Sequence, residues 1–392
     1  MQYMIRICTV LAPVVLVASC DAPGESAAPG ETSAPSESGA SADSHKPGKS
    51  GNSGKPGNSG GPGDSGAPGD AGAPSDSGVP GDAGAPSDSG TPGDSGAPDD
   101  SGAPPIAAPG GTKVPVNLSG SIQNPCWSPD GKRLVFTRFA SGYNEGNPDV
   151  GIVPVTGGNP TIVSNANGGV NLPGACWNRG ADVIAYSGGD DELYVIPAAG
   201  GKPRQVTSRR GFMSWEPSLS PDGTWIVFES HARSTGGRDA GTIWKIRVDG
   251  TGLTQLTSAP KGPEGDREPN WSPAGDKIVF QSDRTGVANI WTMSVDGSDL
   301  RNVTNTRVEA TDASWSPDGR YIVYSGGDGR QSNVLIIAAT GGPSVYVRHY
   351  SGYDGAPSWS PDGKTIAFET STGSPDGSAG TTLTIAPVPT LP

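Results

Sequence analysis

The sequence predicts an all-β fold, a six-bladed β-propeller preceded by a disordered tether, and three observations carry that prediction. A Trp-Ser-Pro-Asp-Gly motif and its variants recur six times in the last two thirds of the chain. Each copy is followed by short runs of β-branched and aromatic residues separated by Gly-containing turns. Everything before residue 110 is dominated by Gly, Pro, Ser and Asp, largely in triplets, a composition that cannot bury a core.

The motif reads W-S-P-D-G at 127–131, 315–319 and 359–363, W-S-P-A-G at 271–275 and L-S-P-D-G at 219–223. An eroded copy begins at Trp177. The lead residues are separated by 50, 42, 52, 44 and 44 positions, a period that belongs to propeller blades. Strand a carries the lead residue. Strand b follows the turn, as in Trp225-Ile226-Val227-Phe228 or Tyr321-Ile322-Val323-Tyr324. Strand c is a second such run, as in Ile243-Trp244-Lys245-Ile246 or Ile290-Trp291-Thr292-Met293, and strand d follows a turn such as Gly200-Gly201 or Asp249-Gly250. The last repeat ends after strand c at 382–388. The segment 112–118, which follows Gly110-Gly111 like a strand d, is expected to complete it and so remove the free edge. Within the motif, Pro presets φ, Asp tolerates the second corner and Gly takes the positive φ that follows, so these residues read as structural.

The N-terminus reads as an export signal. Arg6 precedes an apolar run from Ile7 to Val17 that is too short to span a bilayer. It ends in Leu16-Val17-Ala18-Ser19-Cys20, which resembles a bacterial lipobox and implies cleavage over 1–19 and a lipid anchor on Cys20. Residues 20–109 form the tether. From 48 to 104, sixteen of nineteen triplets begin with Gly, but Ser75, Ser87 and Asp99 interrupt the collagen-like pattern at intervals of twelve. A flexible linker fits better than a triple helix, which requires Gly at every third position. The net charge of −13 is mostly tether: residues 21–110 hold thirteen acids against three Lys. Nothing in the propeller segment, 110–392, has the basic footprint of a nucleic-acid binder.

The W-S-P-D-G copies, together with Ser282-Asp283-Arg284-Thr285-Gly286-Val287-Ala288-Asn289-Ile290-Trp291, resemble the TolB-type propeller family. The resemblance covers about 110–390 and implies a periplasmic or surface binding scaffold. Members bearing the family name carry an α/β domain before the propeller, where this chain has its tether. A link to a Tol–Pal assembly is therefore not implied.

No H-E-x-x-H, G-x-S-x-G or Walker loop is present. Beyond the signal there are three histidines: His45 in the tether, then His231 and His349. Related propellers that act as metal-dependent lyases use a channel cluster of histidines, so the expectation is a non-enzyme with no cofactor and no metal. Alignment on the lead residue places Asn124, Gly174, Glu216, Glu268, Asp312 and Ala356 three positions before it. Glu216, Glu268 and Asp312, joined by Asp354 and by the aromatic surfaces of Trp215 and Tyr353, are the expected partner-binding residues at the channel mouth. A basic peptide, a cation or a sugar stacked on Trp215 would each suit such a mouth, and so would water alone. Cys126 and Cys176 stand at equivalent positions one before a Trp. They are either a disulfide in an oxidising compartment or two buried thiols. The expected whole is a monomeric propeller, lipid-anchored in the bacterial cell envelope and binding a protein or peptide, with a carbohydrate module or a channel enzyme as the competing classes.

Overall fold

In a computed structural model of the chain, residues 110–392 are described, apart from 147, 165–174, 178–179, 181, 235–236, 259–263, 328–330 and 376–379. The signal, the lipobox and the tether lie outside the described residues, as does Gly174. Every regular element described is a β-strand. No described helix is long and apolar enough to cross a membrane.

A short strand β1 (Thr112–Lys113) precedes six sets of strands. The first set is β2 (Ser121–Trp127), β3 (Arg133–Phe139), β4 (Pro148–Pro154) and β5 (Thr161–Ser164). The second is β6 (Cys176–Trp177), β7 (Val183–Ser187), β8 (Leu193–Pro197) and β9 (Arg204–Gln205). The third is β10 (Phe212–Leu219), β11 (Trp225–Ser234), a side pairing β12 (Gly237–Arg238), β13 (Thr242–Arg247) and β14 (Thr254–Gln255). The fourth is β15 (Asp266–Trp271), β16 (Lys277–Ser282), β17 (Asn289–Ser294) and β18 (Arg301–Asn302). The fifth is β19 (Glu309–Trp315), β20 (Tyr321–Gly327), β21 (Ser332–Ala338) and β22 (Val345–Tyr346). The sixth is β23 (Tyr353–Trp359), β24 (Thr365–Ser371) and β25 (Thr382–Pro387). Within each set neighbouring strands are antiparallel. β1 supplies the missing fourth strand of the last set through the register Thr112↔Ile385 and Lys113↔Thr384.

Hydrogen bonding joins these strands into five sheets rather than six separate ones. The difference arises at one place. A single parallel pairing, Ser332↔Tyr353, bridges the fifth and sixth sets into an eight-stranded sheet. The outermost strands are also shorter than their sequences suggested, two residues in five of the six sets.

Packing follows the repeat. Phe136, Phe228, Phe280 and Phe368 occupy the same register on the second strands and are fully buried. Each ring removes on the order of 150–250 Å² from water. Among the described residues the core divides into six clusters, each shared by two neighbouring sets. One of them unites Trp127 and Leu134 of the first set with Ala367 and Leu383 of the last, so the order of contacts is circular. The motif turns are chained in the same sense. A Cβ on Gly131 would stand 3.7 Å from Pro361, one on Gly275 3.7 Å from Pro221, one on Gly319 3.5 Å from Pro273 and one on Gly363 3.8 Å from Pro317. The motif Asp serves its own turn: Asp130 Oδ1 accepts from Ser128 Oγ at 2.6 Å and from the Lys132 N–H at 3.1 Å, and Asp222, Asp318 and Asp362 repeat the pattern.

Candidate functional site: an acidic axial channel

The first strands of all six sets wall one channel. Asn124, Glu216, Glu268, Asp312 and Ala356 line it, with Ala175 and Cys176 from the second set. The sequence places a proline after four of these five: Pro125, Pro217, Pro269 and Pro357. Proline gives the ladder no N–H, and in all five strands the pairing register breaks at this point. The residue before the break takes a left-handed backbone, with φ of 53° at Asn124, 51° at Glu216, 53° at Glu268, 54° at Asp312 and 47° at Ala356. A β-bulge thus turns one side chain per strand toward the axis.

In four of the five strands the backbone N–H freed at the bulge is taken by a neighbour. The Asn124 N–H donates to Glu369 Oε2 at 3.1 Å, that of Glu268 to Glu229 Oε2 at 3.0 Å and that of Ala356 to Ser325 Oγ at 3.0 Å. Each acceptor sits one residue after the buried aromatic of the preceding set's second strand. In the fifth set the Asp312 N–H donates instead to the channel residue Glu268, Oε2, at 2.9 Å. Gln281, which holds the corresponding place there, keeps its buried Oε1 without a partner among the described residues.

Glu216, Glu268 and Asp312 therefore converge from three consecutive sets. Burial, first, pushes the Glu216 and Glu268 carboxyls well above the usual carboxylate range, and next the charge of Glu229 on Glu216 and of Asp312 on Glu268. Glu369 behaves alike: burial and the charge of Asp312 raise it to about 8, although the Asn124 N–H and the Tyr353 and Tyr143 hydroxyls favour its anion. Glu229 goes the other way. Burial opposes its charge, but His231 beside it at 3.1 Å, the Arg267 guanidinium and the Glu268 N–H together outweigh that and lower it. His231 Nδ1 faces the Asp239 carbonyl at 2.8 Å, so both ring nitrogens face acceptors when Glu229 is ionised. Arg267, beside Glu268 and Glu229, is raised by these carboxylates despite its burial.

Several expected site residues stand elsewhere. Asp354 is fully buried away from the channel, held by Arg348 through two 2.6 Å bonds. Trp215 and Tyr353 offer no open aromatic face, each being only 8% exposed. Trp215 lies inside because its Nε1 donates to Asp191 Oδ1 at 2.8 Å and its ring packs 5.3 Å from His231. Tyr353 lies inside because its hydroxyl reaches Glu369 at 3.1 Å while the ring meets Tyr143 edge-on at 6.1 Å. Cys126 and Cys176 are joined as a disulfide, Cα–Cα 5.3 Å, across the wall of the channel between the first two sets. Glu229, Glu369 and Tyr143 escaped the sequence reading. The residue after each strand-b aromatic was the available signal for the first two. Tyr143 lies in a connection and carried none. No group of His, Cys, Asp or Glu placed to hold a metal occurs among the described residues.

One family match agrees with this architecture. The family described as the TolB beta propeller domain matches residues 232–379. An uncharacterized protein of Agrobacterium fabrum is 44% identical over 66 residues, which are 17% of this chain and only a fifth (20%) of that protein's length. Among solved structures, TolB from Acinetobacter baumannii has a TM-score of 0.49 at 22% identity, covering 70% of this chain and 65% of that one. A TolB structure from Agrobacterium tumefaciens has a TM-score of 0.48 at 23% identity, covering 69% and 91%. An oligogalacturonate lyase from Vibrio parahaemolyticus has 0.47 at 14%, covering 69% and 90%. The chain carries an all-β propeller, and over residues 232–379 that propeller resembles the TolB type.

Proposed function

We propose that this protein is a non-catalytic binding module of the cell envelope whose channel mouth receives a basic segment of a protein partner. The observation that carries the reading is the convergence of Glu216, Glu268 and Asp312 on one channel, at bulge positions that hold each carboxylate toward the axis. Their crowding and burial hold Glu216 and Glu268 toward the protonated form. A lysine or arginine side chain entering the channel offsets that repulsion, and the acids ionise around it. Binding then releases protons, which ties affinity to pH. The TolB-type match supports an envelope location, and the export signal with Cys20 supports attachment through lipid. We read the eight-stranded sheet as two blades, which makes six. The competing carbohydrate reading relied on an exposed Trp215 and loses its platform with that ring's burial.

Titration calorimetry with an oligolysine peptide tests the proposal. Binding is expected to weaken at least tenfold in Glu216→Gln/Glu268→Gln/Asp312→Asn, since each charge-assisted contact contributes about 1.5–3 kcal/mol. The heat is expected to vary with the buffer's ionisation enthalpy. Equal binding by the wild type and the triple variant overturns it.

A further inference from the structure

A second site lies at the seam where the ring closes. Each of the other five neighbouring pairs of sets is crossed by at least one long polar side chain from a second, third or outermost strand. Arg133 of the first set lies 4.6 Å over Trp177 and 3.5 Å from Asp182 of the second. Arg204 of the second donates to the Val248 carbonyl of the third at 2.8 Å, and Lys245 of the third to the Val295 carbonyl of the fourth at 2.7 Å. Arg301 of the fourth bonds the Thr340 carbonyl of the fifth, and Tyr321 of the fifth donates to the Pro392 carbonyl at 2.6 Å.

These side chains come from three registers: the start of the second strand, the third strand beside the outermost one, and the outermost strand itself. In the sixth set those registers hold Thr365, Ile385 and Thr112, none of which has the reach. A cleft of about 640 Å³ stands open there, lined by these three residues together with Trp127, the acids Asp130 and Asp362 and one cation, Lys113. Val155 also borders it. Its N–H donates to Lys132, as that of Val248 does to Thr224 and that of Val295 to Asp276, so its carbonyl is the counterpart of the two that accept from Arg204 and Lys245. The hydrogen bonds within their turns keep Asp130 and Asp362 below the usual carboxylate range, hence ionised at the rim.

We propose that this seam cleft is a docking site for an extended segment of a partner protein that inserts one arginine or lysine side chain. The stem lies along Ile385 and Trp127 and the head meets the Val155 carbonyl. The molecule demonstrates the fit itself, because Arg204, Lys245 and Arg301 fill the same place at three other seams. The site is separate from the channel, and it stands or falls independently of the channel reading.

The test uses the full chain carrying the three neutral channel substitutions, Glu216→Gln/Glu268→Gln/Asp312→Asn, so that only the cleft reports. The probe is a heptapeptide copying residues 201–207, Gly-Lys-Pro-Arg-Gln-Val-Thr, with a control peptide bearing alanine at both basic positions. One-to-one binding is expected in calorimetry, about tenfold weaker or lost for the control. Thr112→Arg places a guanidinium in the register of Arg204 and Arg301, and Ile385→Lys places an ammonium in that of Lys245. Either is expected to abolish peptide binding and to raise Tm. No binding of the probe, or binding that survives both filling variants in folded protein, overturns the proposal. So does binding that emerges only when Lys46, Lys49 and Lys55 are replaced by alanine, since the occupant is then the chain's own basic stretch.

Discussion

Trp127 Nε1 donates to the Ser358 carbonyl at 3.0 Å, so the first motif tryptophan is fastened to the last repeat. The same bond recurs within the ring, where Trp315 Nε1 reaches the Asn270 carbonyl at 3.3 Å. The closing seam is therefore held by a contact that the chain also uses between consecutive sets. Trp127→Phe keeps the aromatic bulk but leaves the Ser358 carbonyl without its donor. The expected loss is about 1–3 kcal/mol in urea unfolding, with Trp315→Phe in the same range.

The strand β1 should matter far more than what precedes it. Removing residues 1–109 is expected to leave Tm unchanged. Removing 1–118 strips the outer strand from β25 and the Val114 N–H bond to Leu383, and exposes an open edge. That shorter chain is expected to melt lower and to self-associate in sedimentation velocity.

The disulfide closes a loop of 50 residues. Cys126→Ser/Cys176→Ser is expected to cost about 2–4 kcal/mol, mostly through the less constrained unfolded chain. Intact mass before and after reduction and alkylation reports the bond directly.

Stability should fall as pH rises through neutrality. Glu369 is raised to about 8, and Glu216 and Glu268 move the same way. Between the ordinary carboxylate value and about pH 8 the unfolded chain has released protons that the folded one keeps, so unfolding gains with each step upward. The contribution is complete below about pH 4.5 and gone above the folded value. Glu229, lowered by His231, contributes in the opposite sense, its share being lost on acidification. Thermal melts from about pH 5 to about pH 8.5 should show a falling Tm, and a shallower fall in Glu369→Gln.

Ala356 sits at φ 47°, where a Cβ is disfavoured and a glycine is not. Ala356→Gly is expected to stabilise by up to about 1 kcal/mol, in contrast to the usual cost of that change. An unchanged or lower urea midpoint would show that the strand relaxes around alanine.

The fold was legible because the motif repeats at a blade-like period and its turn chemistry is local. Pro and Gly announced each corner, and the Gly110-Gly111 turn announced the closing strand. The acids facing the axis were legible from simple alignment on the lead residue. Asp354, Trp215 and Tyr353 were not, because their positions depend on side-chain partners that the repeat does not announce: Arg348, Asp191 and Glu369 draw them inside. The bridge between the fifth and sixth sets was equally hidden, since one pairing between Ser332 and Tyr353 leaves no periodic trace.

The bulge also separates two properties that usually change together. Five strands make the same kink, yet the residues that occupy it are Asn, Glu, Glu, Asp and Ala. Geometry is held constant while chemistry varies, because the adjoining residue and the neighbour's cap set the backbone and ask little of the side chain, except at Glu268, whose carboxylate caps the Asp312 N–H. The inner circumference thus works like a row of interchangeable keys on one fixed frame. A descendant could exchange the residues it shows to a visitor, one position at a time, without rebuilding the ring.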